Sequence, residues 1–142
     1  MAFTKNGDLI VISRKQHANK FSYISKGIKN FQGKYNFTTK ENDTMVQGPK
    51  LFWVNGHLLL GSRSRYFLSN KEEDMGTVIY EVMNPDKDLK EIELEKRFVL
   101  QPINNRDASY TDFYYDGGDH LMVAFYMGNL FSTSIYIAKI QL

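Results

Sequence analysis

The segment Leu51-Phe-Trp-Val-Asn-Gly-His-Leu-Leu-Leu60 decides the fold class. In it, two apolar runs, at residues 51–54 and 57–60, flank the dipeptide Asn55-Gly56. Asn-Gly between apolar runs is typical of a tight β-hairpin, because both residues tolerate the positive φ of a type I′ turn. The sequence therefore predicts two antiparallel strands joined by a two-residue turn.

Other strand-like runs, separated by turn signals, follow one another along the chain. Together with the central hairpin they predict about ten strands, the others lying near residues 8–13, 20–25, 35–39, 77–83, 92–100, 110–115, 121–126 and 134–142. Residues 87–96 could form a short helical turn, but the alternation of Ile92 and Leu94 favours an outer strand. Loops are expected at 40–44 and 71–74. The predicted fold class is therefore all-β.

A weak internal repeat indicates how the strands are grouped. Residues 50–61 and 111–124 both read as an aromatic strand, a glycine turn and an apolar strand, and Asn6-Gly7-Asp8 resembles the same turn. The copies lie about 50 and about 60 residues apart, close to the length of a propeller blade. We predict one domain, 1–142, that forms a partial β-propeller of about two and a half four-stranded antiparallel blades. The blades would cover about 1–45, 46–103 and 104–142.

An incomplete ring of blades leaves sheet faces without a neighbour. Propellers usually need about four blades or more. Two arrangements would supply the rest: N-terminal blades of a longer protein, or a homodimer, since two copies of about ten strands make about five blades. Both alternatives remain open from the sequence.

Composition excludes several classes of function. Eighteen basic and sixteen acidic residues give a net charge of +2, without a run of five like charges, so we expect no nucleic-acid partner. The absence of cysteine excludes disulfides and cysteine-based zinc sites. No apolar run is long enough to span a membrane and no signal peptide is visible, so we expect a soluble chain without a membrane partner. Metal and nucleotide motifs are absent, so neither a metal nor a cofactor is predicted.

Three segments carry a resemblance to a known family. They are Gln47-Gly-Pro-Lys-Leu-Phe-Trp-Val-Asn-Gly-His-Leu-Leu-Leu-Gly-Ser-Arg63, Ala108-Ser-Tyr-Thr-Asp-Phe-Tyr-Tyr-Asp-Gly-Gly-Asp-His-Leu-Met-Val-Ala-Phe-Tyr126 and Ser134-Ile-Tyr-Ile-Ala-Lys-Ile140. Together they resemble the C-terminal half of sialidase-like β-propellers of the Asp-box type. The resemblance implies a glycosidase-like protein that binds, or formerly processed, a glycan.

The resemblance also implies particular site residues. Sialidases hold the substrate carboxylate with arginines, whose planar fork fits it, and use a tyrosine nucleophile assisted by a glutamate. Tyr110 matches the nucleophile and Arg63 matches one arginine, whereas Gln47 occupies the position of the glutamate. Because a neutral amide cannot act as a base, we expect the chain alone to be inactive as a sialidase.

Further arginines extend the predicted substrate-binding set. Arg65 lies two residues after Arg63 and would share its strand face. Arg14 ends the first apolar strand at an analogous place, and Arg97 and Arg106 are the candidates for a third arginine. The alternative for each is a solvated position at a strand end.

An aspartate next to the nucleophile position completes this set. Asp112 shares a face with Tyr110 if the strand is regular, and the alternative is aromatic packing with an aspartate directed to the turn. Two functions therefore stand side by side. One is a degenerate glycan-binding or glycosidase-like propeller, and the other is a non-catalytic structural or protein-interaction module.

Overall fold

The chain folds into three antiparallel β-sheets, each made of strands that are consecutive in the sequence. The structure, a computed structural model, describes residues 1–15, 22–67, 73–100, 107–128 and 131–142. Within these residues there are eleven strands and one short 3₁₀ turn, Leu89–Glu91. The predicted all-β class is confirmed.

The strands follow the chain without crossing over. Sheet I contains β1 (Ala2–Phe3), β2 (Leu9–Arg14), β3 (Ser22–Lys29) and β4 (Tyr35–Asn42). Sheet II contains β5 (Gln47–Val54), β6 (His57–Phe67), β7 (Glu73–Met83) and β8 (Glu93–Leu100). Sheet III contains β9 (Asp107–Tyr115), β10 (His120–Gly128) and β11 (Thr133–Gln141). Each sheet is a meander, and each strand pairs with its neighbour in sequence.

The predicted hairpin between β5 and β6 is confirmed. Val54 pairs with His57, and the two turn residues Asn55 and Gly56 have φ values of 47° and 83°. Both values are positive, as a type I′ turn requires. The turn therefore sets the register of β5 against β6 next to the turn.

Three local expectations differ from the structure. Lys40 and Asn42 belong to β4, where they pair with Ile24 and Ser22 of β3, so the predicted loop at 40–44 is wrong in its first half. Residues 73 and 74 belong to β7 and not to a loop. Residues 87–96, for which a helical turn and an outer strand were the alternatives, contain both: the 3₁₀ turn Leu89–Glu91 comes first and the outer strand β8 follows it.

Sheets I and II enclose the first hydrophobic core. Ile10, Ile12 and Ile24 of sheet I pack against one face of sheet II, which contributes Leu51, Leu58, Leu60, Val78, Tyr80 and Val82. Trp53 packs at the margin of this core, and its indole Nε1 donates a hydrogen bond to the Phe3 carbonyl at 2.7 Å. That bond links β5 to the two-residue strand β1.

Sheets II and III enclose the second core on the opposite face of sheet II. Val54, Leu59 and Ile79 pack against Phe113, Leu121, Val123, Phe125, Met127 and Ile140 of sheet III. Phe52 and Phe113 stack across this interface with ring centroids 5.5 Å apart. Because side chains alternate along a strand, β6 sends Leu58 and Leu60 into one core and Leu59 into the other.

Sheet II is thus the middle layer, with an apolar contact on each face. None of the three sheets closes on itself within the described residues. The described part of the chain also contains no helix with the length and apolar character needed to cross a membrane.

Candidate functional site

Ser62 and Ser64 of β6 form hydrogen bonds with the backbone at the start of β5 and just before it. The Ser62 hydroxyl accepts a hydrogen bond from the Gln47 backbone N–H at 2.9 Å and lies 3.0 Å from the Gln47 carbonyl. The Ser64 hydroxyl donates to the Met45 carbonyl at 2.5 Å and accepts from the Tyr80 hydroxyl at 2.7 Å. Burial raises the pKa of the Tyr80 phenol, while the Ser64 bond acts against that rise. These contacts fix where Gln47 enters the sheet.

A β-bulge interrupts β5 directly after Gln47. Gln47 pairs with Arg63 and Lys50 pairs with Gly61, so Gly48 and Pro49 together oppose a single residue of β6. Gly48 has a φ of 59°, a left-handed value that glycine adopts without steric cost. The bulge bends the strand and directs the side chains on either side of it.

Gln47 and Arg63 form the polar pair at this bulge. As cross-strand partners they share a face of sheet II, the one that faces sheet III. The guanidinium Nε and Nη2 of Arg63 donate to the same Gln47 Oε1, at 2.9 and 2.5 Å. The structure therefore brings together two of the residues predicted from the sequence, and it half-buries both.

A second bulge lies in β9, at Tyr110. Ser109 pairs with Tyr126 and Asp112 pairs with Ala124, so Tyr110 and Thr111 together oppose one residue of β10. Tyr110 has a φ of 50° and is the counterpart of Gly48, the first residue of the bulge in β5. The strand is therefore not regular at Tyr110, which was the condition for the expectation that Tyr110 and Asp112 share a face, although exposed and buried residues still alternate from Tyr110 to Phe113.

Tyr110 adopts a backbone conformation that is unfavourable for a non-glycine residue. The left-handed region costs an L-residue about 1–2 kcal/mol. Its side chain is 70% exposed and stacks on Tyr126, with ring centroids 5.7 Å apart and an interplanar angle of 29°. The bulge thus holds an aromatic pair on the surface of sheet III.

The two bulges are neighbours in space. Lys50 Nζ lies 3.0 Å from Asp112 Oδ1, and Thr111 packs against Gly61 so closely that a Cβ on the glycine would collide with it. The pKa of Asp112 is lowered, first by the hydrogen bond from Lys50 and then by the Phe113 backbone N–H. Asp112 is therefore an ionised, paired carboxylate at neutral pH.

The direction of β9 places the Tyr110 backbone at the same end of the interface as the Gln47–Arg63 pair. Phe113 stacks on Phe52 and Asp112 meets Lys50, so β9 and β5 run the same way across the interface. Tyr110 precedes both residues in β9, as Gln47 precedes both of their partners in β5. We refer to Gln47, Lys50, Arg63, Tyr110 and Asp112 as the paired-bulge site.

Two buried hydroxyls lie close to this site. Thr77 is the cross-strand neighbour of Arg63, and Thr111 belongs to the bulge of β9. The Oγ1 atoms of both threonines are buried without a hydrogen-bond partner among the described residues. Buried polar groups are normally paired, so these two are exceptional.

The remaining predicted arginines are distributed over the molecule. Arg14 is exposed at the end of β2, and its cross-strand partner Ser22 donates to the Thr44 carbonyl, three residues before Gln47. Arg14 thus lies at the same end of the molecule as the paired-bulge site. Arg97 lies elsewhere, bound to Glu81 and Glu95.

Two predicted residues cannot be placed as site residues. Arg65 belongs to β6 and pairs with Met75 through the backbone, but its side chain lies outside the described part of the structure. Arg106 lies outside the described residues altogether.

Sequence reasoning missed Lys50 and Tyr126. Lys50 immediately precedes the apolar run of β5, and alternation from Phe52 already placed it on the face towards sheet III. Tyr126 became a partner of Tyr110 only through the bulge, which no sequence signal marked. Among the described residues, no group of three or more histidines, aspartates and glutamates is arranged to hold a metal ion.

The candidate site has no counterpart that would identify it. Comparison of the chain with family models, with curated proteins and with solved structures gives no match. The resemblance to sialidase-like propellers therefore depends only on the residues quoted for it.

Proposed function

We propose that the protein binds a glycan at the paired-bulge site, as a sialidase-like β-propeller protein with an incomplete catalytic set. In this proposal the three sheets are successive propeller blades. The proposal is supported by three meanders of consecutive strands that pack face to face in chain order. Propeller blades are four-stranded sheets of this kind.

The observation that carries the proposal is the geometry of Arg63. Two of its guanidinium nitrogens converge on one neutral acceptor, Gln47 Oε1. A carboxylate accepts charge-assisted hydrogen bonds that are about twice as strong as those to a neutral acceptor. An acidic sugar would therefore compete effectively with Gln47 for the fork of Arg63.

An aromatic pair on the surface of sheet III, in the same bulge as Thr111, supplies the second element of the proposed sugar site. Tyr110 and Tyr126 stack on each other, and Tyr110 is 70% exposed. Ligand sites combine such apolar surface with a few convergent polar groups. The strained backbone of Tyr110 supports a functional reading, since strain of this kind is concentrated at binding and active sites.

The same residues argue for binding without hydrolysis. Gln47 cannot accept a proton from Tyr110 as a glutamate would, and its amide oxygen is engaged by Arg63. Asp112 has a lowered pKa because of Lys50, so it is ionised and unable to serve as a proton donor. We therefore expect no turnover of a sialoside by this chain.

The test is titration with an acidic sugar and its neutral counterpart. The methyl glycoside of sialic acid, added at millimolar concentration, is expected to change the tyrosine fluorescence and the chemical shifts of the site, while methyl galactoside does not. Arg63→Ala should abolish this response with little loss of stability, and Arg97→Ala is the matched control that should retain it. The proposal fails if neither sugar binds, or if binding survives Arg63→Ala.

The second candidate function is a non-catalytic structural or interaction module. The observation in its favour is the exposed apolar surface of sheet III, where Ile135 is 80% and Ile137 is 67% exposed. Isoleucines at such exposure in a strand are typical of surfaces that another protein covers. A protein that binds neither sugar but self-associates would fit this function.

A further inference from the structure

The last strand of sheet III, β11, leaves its outer edge unpaired, yet its sequence is typical of a strand that is paired on both sides. Sheets I and II each continue to a fourth strand, whereas sheet III ends with the nine residues of β11. None of the described residues pairs with the outer edge of β11. Such an edge presents a row of unpaired N–H and C=O groups that favours pairing with another strand.

The outer edges of the other two sheets are protected. β4 contains Lys40 and Glu41, and the Lys40 ammonium donates to the Lys90 carbonyl of the 3₁₀ turn. β8 reads Glu-Leu-Glu-Lys-Arg-Phe-Val-Leu, with four charges, and a bulge interrupts its pairing with β7. Charges and bulges are the devices by which proteins prevent edge-to-edge pairing.

β11 lacks these devices. Its sequence, Thr-Ser-Ile-Tyr-Ile-Ala-Lys-Ile-Gln, contains one charge and no proline, and its pairing with β10 is regular over all nine residues. Four of its residues are isoleucine or tyrosine, which are strand formers. The edge is therefore long, free of bulges and nearly uncharged.

The hydrogen-bond pattern shows which backbone groups face outward. The Leu142 N–H donates to the Asp119 carbonyl, one step beyond the pair His120–Gln141. In an antiparallel ladder, residues bonded to the partner alternate with residues whose N–H and C=O point away. The outward groups of β11 therefore belong to residues 133, 135, 137, 139 and 141.

We propose that β11 pairs antiparallel with β11 of a second copy of the chain, across a twofold axis at Ile137. This register overlaps all nine residues and places outward groups opposite outward groups, which gives about ten backbone hydrogen bonds. In this register Ile137 lies opposite Ile137 of the partner subunit, and Ile135 lies opposite Lys139 of the partner subunit. Like charges are not brought opposite each other, so the strand is complementary to itself, as a twofold interface requires.

This arrangement is independent of glycan binding and differs from a ring completed by packing of faces. In the edge-paired dimer, the two copies of sheet III become one six-stranded sheet, and the exposed isoleucines form a continuous stripe on its surface. In a face-packed ring the same isoleucines would be buried under another sheet. Substitutions at Ile135 and Ile137 therefore distinguish the two.

The experiment measures the mass of the chain in solution by light scattering and sedimentation, over about 1–100 µM. We expect a discrete dimer. Ile137→Lys should weaken it about tenfold or more, because two like charges meet at the axis and an apolar pair is lost. Ile135→Glu should retain or tighten the dimer by facing Lys139 of the partner subunit, whereas it would disrupt a face-packed ring.

A cysteine variant tests the register directly, since the natural chain has no cysteine. Ile137→Cys should form an intermolecular disulfide under mild oxidation, because opposed Cα atoms at a bonded pair are about 5.5 Å apart, within disulfide range. Two control variants should remain unlinked. Ser134→Cys lies in β11 but away from the twofold axis, and Ile28→Cys lies in β3 of sheet I. A monomer over the whole concentration range, or equal linking of all three variants, would overturn the proposal.

Discussion

A single methyl group added at Gly61 would test the packing of sheet II on sheet III. A Cβ at this position would collide with the Thr111 hydroxyl and lie 2.7 Å from Thr111 Cβ and 2.8 Å from Phe113 Cζ. Thr111 and Phe113 are both buried, so neither can move into solvent. At an unobstructed site, Gly→Ala stabilises a protein by about 0.4–1 kcal/mol.

At Gly61 the contacts with Thr111 and Phe113 make the same substitution destabilising. Overpacking of a buried site typically costs about 1–3 kcal/mol, and three short contacts place Gly61→Ala near the upper end of this range. We therefore expect the free energy of unfolding to fall by about 2–3 kcal/mol. Urea titration followed by the fluorescence of Trp53, the single tryptophan, would measure it.

Gly27→Ala is a matched control in an inner strand of sheet I. Its Cβ would lie 2.7 Å from Phe37 Cε1, but the Phe37 ring is 51% exposed and can rotate away. We expect a change within about 0.5 kcal/mol. If Gly61→Ala is no more destabilising than this control, β9 does not lie against β6 as described.

The double variant Gly61→Ala/Thr111→Gly refines the test. Two of the three colliding atoms belong to Thr111, so removal of its side chain should recover part of the loss caused by Gly61→Ala. Residues in contact show such coupling, whereas distant residues have additive effects. Strictly additive losses would contradict the packing of Thr111 on Gly61.

Two further predictions concern buried polar groups. Thr77→Val should raise the free energy of unfolding by about 1 kcal/mol, because it replaces an unpartnered buried hydroxyl by a methyl group; a loss in urea titration would show that the hydroxyl is bonded in solution. For Glu81, burial acts to raise the pKa, but hydrogen bonds from His57 and Arg97 outweigh it and leave the pKa below its ordinary value of 4.5. A lowered folded pKa gives stability that is present above the unfolded value and lost as the pH falls through the folded one. Glu81→Gln should therefore flatten the pH dependence of stability below about pH 5, and an unchanged acid profile would contradict this.

The central hairpin and the outer strand β8 could be predicted because their signals are local. Asn55-Gly56 specifies a turn by the conformations its residues tolerate, and this determines the cross-strand partners of residues 50–54 in β5. The alternation of Ile92 and Leu94 indicated an outer strand, although Ile92 itself lies just before β8. In each case the deciding interactions lie within a few residues of one another.

The geometry of the candidate site could not be predicted in the same way. The bulge at Tyr110 places a tyrosine in a conformation that favours glycine, so local propensity argued for a regular strand. The pairing of Lys50 with Asp112 depends on how two sheets pack, which no spacing in the sequence encodes. The resemblance directed attention to Gln47, Arg63 and Tyr110, but their contacts became visible only in the folded chain.

The middle position of sheet II has a consequence for how its register is maintained. In a sheet with one wet face, slipping a strand by one residue would expose apolar side chains to water, which opposes the slip. Among the leucines of β6, the same slip would exchange Leu58 and Leu60 with Leu59 between two apolar cores. The burial of these three leucines therefore does not distinguish the two alignments. The tight turn at Asn55-Gly56 and the bulge at Gly48 lie at opposite ends of β5, and together they fix the register of β5 against β6.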